Sequence, residues 1–201
     1  MNTGVVVSWI LISYAVGCIT GGYYWVRFRT SRDLRKEGSG SLGARNSARI
    51  TGPAGFVVVL LWDAGKGALV MGVAKLLEMN ANMMALCVLA VVIGHIRPAQ
   101  LGFKGGKGIA TSLGAFLVFE PILVGLLFLS FLPFYAITRS LTLGGLLAYL
   151  VLPFVLWIIG QPPVNIVTSI SGAGLILYAH RANIVKKFQP DVNESRQSEG
   201  G

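Results

Sequence analysis

Apolar residues arrive in long, nearly uninterrupted runs. They show neither the strict alternation of a half-buried strand nor the three-and-four spacing of a surface helix. Short polar, glycine-rich or basic stretches separate the runs. A membrane helix needs roughly 20 apolar residues, fewer where neighbours bury it, and seven segments qualify, at about 4–26, 54–78, 83–99, 108–120, 122–138, 141–160 and 164–181. The fourth is short and ends at Glu120-Pro121, so five or six spans stay open beside seven. The fold class predicted is all-α, a polytopic membrane helical bundle. One integral membrane domain is expected over 1–188, followed by a polar, disordered tail over 189–201.

Composition agrees with a membrane setting. Of 201 residues, 54% are hydrophobic and 12% charged, against about 25% charged in an ordinary soluble domain. So sparse a charge cannot coat a soluble surface, and the apolar excess equally excludes disorder. The net charge of +9 implies an anionic partner: lipid headgroups, a phosphorylated substrate or nucleic acid. Nucleic acid falls away, because the cations are divided among short loops without a basic domain. Cys18 and Cys87 lie inside apolar runs and build no disulfide scaffold. Two histidines, His95 and His180, leave little for a transition-metal site.

The cations also orient the chain. No Lys or Arg precedes the first run, so it is not a cleaved signal peptide. Arg27, Arg29, Arg32, Arg35 and Lys36 follow it at once. The positive-inside rule then places the N-terminus outside and the 27–53 segment in the cytoplasm. Carried through seven spans, this map puts fifteen of the seventeen Lys and Arg residues on the inside. The exceptions are Lys66, within a span, and Lys75, near an outer end.

Three unusual segments share that cytoplasmic side. Gly38-Ser39-Gly40-Ser41-Leu42-Gly43-Ala44-Arg45-Asn46-Ser47-Ala48-Arg49 can turn its amides toward an anion, with Arg45 and Arg49 as forked donors; a lipid-touching interfacial loop is the equal alternative. Phe103-Lys104-Gly105-Gly106-Lys107-Gly108-Ile109-Ala110-Thr111 opens a helix, whose free amides and partial charge suit a phosphate. It is no Walker A loop, since Ile109 follows Lys107-Gly108. A basic turn would explain its lysines but not the three glycines. His180-Arg181-Ala182-Asn183-Ile184 closes the last span, with His180 and Asn183 on one face; alone, it reads more readily as a headgroup-level His-Arg pair than as chemistry. Asp63 and Lys66 lie in the second span at pairing distance in sequence, either as a structural ion pair or as a brace for the site. His95, beside Arg97-Pro98, reads as a structural helix-end residue. Without a family, a small-anion transporter and a non-catalytic anionic-lipid-binding protein remain open as rivals to an enzyme.

These segments, in this order, resemble the bacterial acyl-phosphate:glycerol-3-phosphate acyltransferases, the PlsY family. Ser39 to Arg49 follow the pattern S-G-N-x-G-A-T-N-x-x-R except at Ser41 and Arg45. Phe103 to Thr111 match F-K-G-G-K-G-[VI]-A-T in full, and His180 to Ile184 match H-R-x-N-I. Asp63-Ala64-Gly65-Lys66-Gly67 and Gly94-His95-Ile96-Arg97-Pro98 are smaller echoes. Cys18 and Thr142 stand where the family commonly has serines, and Ala179 where Arg is commoner before the histidine.

The resemblance implies acyl transfer from acyl-phosphate to the sn-1 hydroxyl of glycerol 3-phosphate, in phospholipid biosynthesis at the cell inner membrane. No metal, other cofactor or obligate protein partner is implied; membrane lipids surround the site. Ser39, Gly40, Gly43, Asn46 and Arg49 are expected to hold one phosphate, and Lys104, Gly105, Gly106 and Lys107 the other. His180 and Asn183 are the expected catalytic pair, with Asp63, Lys66, Thr142 and Arg45 in support. Arg45 is expected to point to the membrane surface, because Arg49 already fills the family's cationic position.

Overall fold

The computed structural model describes residues 3–188, with side chains up to Val185. The tail expected over 189–201 lies outside the described residues. All regular structure within them is helical: α1 (Thr3–Cys18), α2 (Gly21–Thr30), α3 (Ala44–Leu76), α4 (Ala81–Ile96), α5 (Ile109–Phe119), α6 (Pro121–Thr138), α7 (Leu141–Ile158) and α8 (Pro163–Phe188), with short 3-10 turns at Leu34–Lys36 and Ala99–Leu101. Five helical stretches are long and apolar enough to cross a membrane: Thr3–Thr30, Ala44–Leu76, Ala81–Leu101, Pro121–Thr138 and Leu141–Ile158. α8 is not among them; it spends Asn165, Thr168, Ser169 and His180 on the protein interior.

Two expected boundaries are corrected. The first run is not one helix, since it breaks at Ile19-Thr20. The second begins ten residues early, at Ala44, so Arg45, Asn46 and Arg49 stand on helix and not in a loop. That early start escaped the hydropathy pattern because its first turns carry polar and charged residues. α3 then kinks at Gly52, whose φ of 71° suits glycine. Pro53 follows and disfavours helical geometry in the residue before it.

The break after α1 leaves backbone groups that a lipid setting cannot hydrate. Asp63 and Lys66 satisfy them. Lys66 Nζ donates to the carbonyls of Gly17 at 2.8 Å and Ile19 at 3.2 Å. The Asp63 carboxylate accepts the N–H of Gly21 at 3.2 Å. The two side chains pair at 3.2 Å, only 6% and 2% exposed. The pair thus replaces helix bonds lost at the break.

Small residues bring the helices together. A Cβ at Gly94 on α4 would collide with the Tyr14 carbonyl on α1, and one at Gly114 on α5 with the Ala64 carbonyl on α3. The main core, including Met71, Phe116, Leu123, Leu152 and Ile176, fills the space among α3 to α8. α6 buries only Leu123 and Leu127. Outward-facing Leu61, Leu69, Phe128, Leu129, Phe154 and Trp157 give the bundle an apolar exterior, suited to lipid.

Candidate active site

The glycine-rich stretch before α3 is shaped by one buried amide. Asn46 Nδ2 donates to the carbonyls of Glu37 at 2.9 Å and Ser41 at 3.0 Å, and its Oδ1 accepts the Ser39 N–H at 3.0 Å. Its polar atoms are spent on the loop, so Asn46 staples the cradle. Gly38 and Gly40 adopt φ of 53° and 69° within the turn. Gly43 caps α3, leaving the first amides of that helix free of intrahelical partners. Leu34, Leu42 and Leu101 form a small apolar floor with Val26 of α2.

The second loop joins the first through backbone. Leu42 donates its N–H to the Gly105 carbonyl at 3.3 Å. Lys104 is exposed and Lys107 partly buried just before α5, whose cap is Gly108. Burial pushes the Lys107 ammonium below the usual lysine range, and the positive charges of Arg45 and then Arg49 push it the same way. Three cations from two separate segments therefore share one region, an arrangement that favours a bound anion.

α8 brings the third segment. His180 is 3% exposed, and its Nδ1 lies 2.8 Å from the Ile176 carbonyl. A carbonyl only accepts, so Nδ1 carries the hydrogen and the neutral ring offers Nε2 as an acceptor. The ring lies within electrostatic reach of Lys107 and Arg45. Asn183 follows one turn on and is exposed. Arg45 is exposed, and its Nη1 donates to Thr142 Oγ1 at 2.8 Å, joining α3 to the first turn of α7. Among the described residues, no group of three His, Cys, Asp or Glu side chains could hold a metal ion.

The sequence profile described as glycerol-3-phosphate acyltransferase matches residues 7–189. The chain belongs to the glycerol-3-phosphate acyltransferase family. A similar protein named glycerol-3-phosphate acyltransferase 1, from Desulfitobacterium hafniense (strain Y51), is 41% identical over 87% of both chains. Another of the family, from Syntrophomonas wolfei, is 38% identical over 87% of this chain and 89% of its own. Among solved structures, the glycerol 3-phosphate form of PlsY (YgiH), described as an integral membrane glycerol 3-phosphate acyltransferase, aligns with a TM-score of 0.82 at 32% identity, covering 91% of this chain and 92% of that one. A lysophosphatidic acid form of PlsY aligns with a TM-score of 0.80 at 30% identity.

Within this acyltransferase, the site gathers residues that sequence reasoning passed over. Arg97 donates to the Phe103 carbonyl at 3.1 Å and also bonds the Tyr178 hydroxyl. Arg97 and Arg181 both lie over the Tyr178 ring, so α4, the second loop and α8 are tied at one end. The Gly94-to-Pro98 echo was the available signal for Arg97. No comparable signal marked Tyr178.

Proposed function

We propose that this acyltransferase moves an acyl chain from acyl-phosphate to the sn-1 hydroxyl of glycerol 3-phosphate. The products are 1-acylglycerol 3-phosphate and inorganic phosphate. The observation that carries the site is the Leu42–Gly105 backbone bond: it sets two glycine-rich, cation-bearing loops side by side, as a reaction between two phosphorylated substrates requires. Acyl-phosphate is already a mixed anhydride with a good leaving group. The main task is to hold two anions together against their repulsion, and proximity of this kind can lower a barrier by up to about 7–11 kcal/mol.

Ser39, Arg49 and the amides near Gly40 and Gly43 hold one phosphate; Lys104, Lys107 and the Gly105-Gly106 backbone hold the other. The hydroxyl oxygen attacks the acyl carbonyl carbon, and the bond from that carbon to the phosphate oxygen breaks. The hydroxyl proton passes to His180 Nε2 and then to the departing phosphate. Asn183, one turn along α8, orients the reacting oxygens. No side chain forms an acyl-enzyme in this scheme. The protein sits in the inner membrane with its N-terminus outside, its C-terminus cytoplasmic and its site at the cytoplasmic face, a topology supported by the fifteen inside cations.

The test is a reconstitution. Purified protein in detergent is given a long-chain acyl-phosphate with and without glycerol 3-phosphate. Phosphate release should depend on the acceptor, with 1-acylglycerol 3-phosphate found by mass spectrometry. Acceptor-independent release, or no acylated glycerol phosphate, overturns the proposal.

A further inference from the structure

Gly105 and Gly106 are glycines whose backbones do not need to be. Neither has a positive φ, unlike Gly102 and Gly108 on either side. The nearest obstacle to a side chain at both is His95, joined at Gly105 by Ile96 and Pro98. A Cβ at Gly105 would collide with the His95 carbonyl, and one at Gly106 with the imidazole at Nε2. The Gly106 N–H donates to that same carbonyl at 3.0 Å. The loop therefore lies against one histidine, touching both its backbone and its ring.

That histidine is itself fixed. His95 is 3% exposed at the end of α4. Its Nδ1 lies 2.9 Å from Lys66 Nζ and 3.4 Å from Asp63 Oδ1. Its other ring nitrogen, Nε2, faces Gly106. Lys66 and Asp63 are in turn fastened to the break between α1 and α2. A continuous run of short contacts thus leads from the broken first helix, through the ion pair and His95, to Gly106. From Gly105 it continues through the Leu42 bond into the first loop.

We propose that His95 is a positioning residue for acyl transfer: held by Lys66 and Asp63, it sets the height and tilt of the Gly105-Gly106 backbone between Lys104 and Lys107. The inference rests on the loop being part of the phosphate site. His95 itself touches no substrate in this account.

The experiment is a double-mutant cycle on the full chain in detergent, with thermal unfolding followed in parallel. Asn at position 95 can keep an acceptor for Lys66 while ending short of Gly106. His95→Asn should raise KM for glycerol 3-phosphate or acyl-phosphate about tenfold or more, with kcat and the unfolding midpoint little changed. Gly106→Ala alone should damage KM at least as much, because its methyl meets the ring. In the His95→Asn background the same methyl should cost little, since the ring has gone. A His95→Asn enzyme with the KM of the parent, a silent Gly106→Ala, or penalties that simply multiply would overturn the proposal. If His95→Asn does not fold, Gly106→Ala decides alone. Lys104→Ala, run alongside, separates the two questions: if it leaves both KM values unchanged, the phosphate reading of the loop fails, whatever the cycle shows about His95.

Discussion

Arg45 on α3 and Thr142 on α7 are joined by a 2.8 Å hydrogen bond. The bond reaches between helices that otherwise make little contact. It holds the guanidinium within electrostatic reach of Lys107 and His180. Arg45→Thr should remove one exposed charge and leave the machinery standing. An exposed charge of this kind is worth up to about fivefold in binding. The expected result is a modest rise in KM for glycerol 3-phosphate and an unchanged ranking of phosphorylated and polar acceptors. Glycerol 3-phosphate activity in the variant that the parent lacks would make Arg45 a specificity residue instead.

Lys104 and Lys107 carry the charge of the second loop. Lys104→Ala or Lys107→Ala should cut kcat/KM roughly ten- to a hundredfold, the loss of a charged hydrogen-bond partner, with the protein still monodisperse in detergent. Near-parental turnover with saturable kinetics in both variants would leave the motif as a topology signal only.

Burial, with Arg45 and Arg49 nearby, holds the Lys107 ammonium below the ordinary lysine range. A lysine with a lowered pKa keeps its charge below that pKa and loses it earlier than usual as pH rises. The kcat/KM profile, which reports the free enzyme, should fall on its alkaline side before an ordinary lysine would titrate. Lys107→Arg should move that fall to higher pH, since guanidinium stays charged. An alkaline limb identical in both proteins would show that another group controls it.

Gly94 packs where α1 and α4 come closest, against the Tyr14 carbonyl. Gly94→Ala should destabilise the bundle by about 1–3 kcal/mol, as overpacking does, read as a lower unfolding midpoint in detergent. An unchanged midpoint would mean that the helices separate at little cost.

Topology can be read with single cysteines after Cys18 and Cys87 are replaced. Asn80→Cys and Gln161→Cys should react with an impermeant thiol reagent applied to intact cells. Ser41→Cys and Gln189→Cys should not. Labelling at position 41 would overturn the cytoplasmic placement of the first loop.

The helices were legible because they are local. In lipid each backbone group must be satisfied within its own segment, so apolar runs alone marked out most of the bundle, and glycines beside cations marked two anion-suited loops. The sequence also put Asp63 and Lys66 within reach of each other, because three residues make nearly one helical turn. What it left undecided depends on distant partners. The break at Ile19-Thr20 sits inside an apolar run, and distant side chains make it tolerable: the ion pair and Trp62 from α3, and Gln100 from beyond α4. The early start of α3 lies in polar residues that carry no hydropathy signal. His95 is the helix-end residue its sequence context suggests, but its contacts with Lys66 and Gly106 stayed hidden because these lie 29 and 11 positions away, outside any local pattern. Burying a charged or polar side chain requires partners supplied by other helices, and only the packed tertiary structure decides which helices those are.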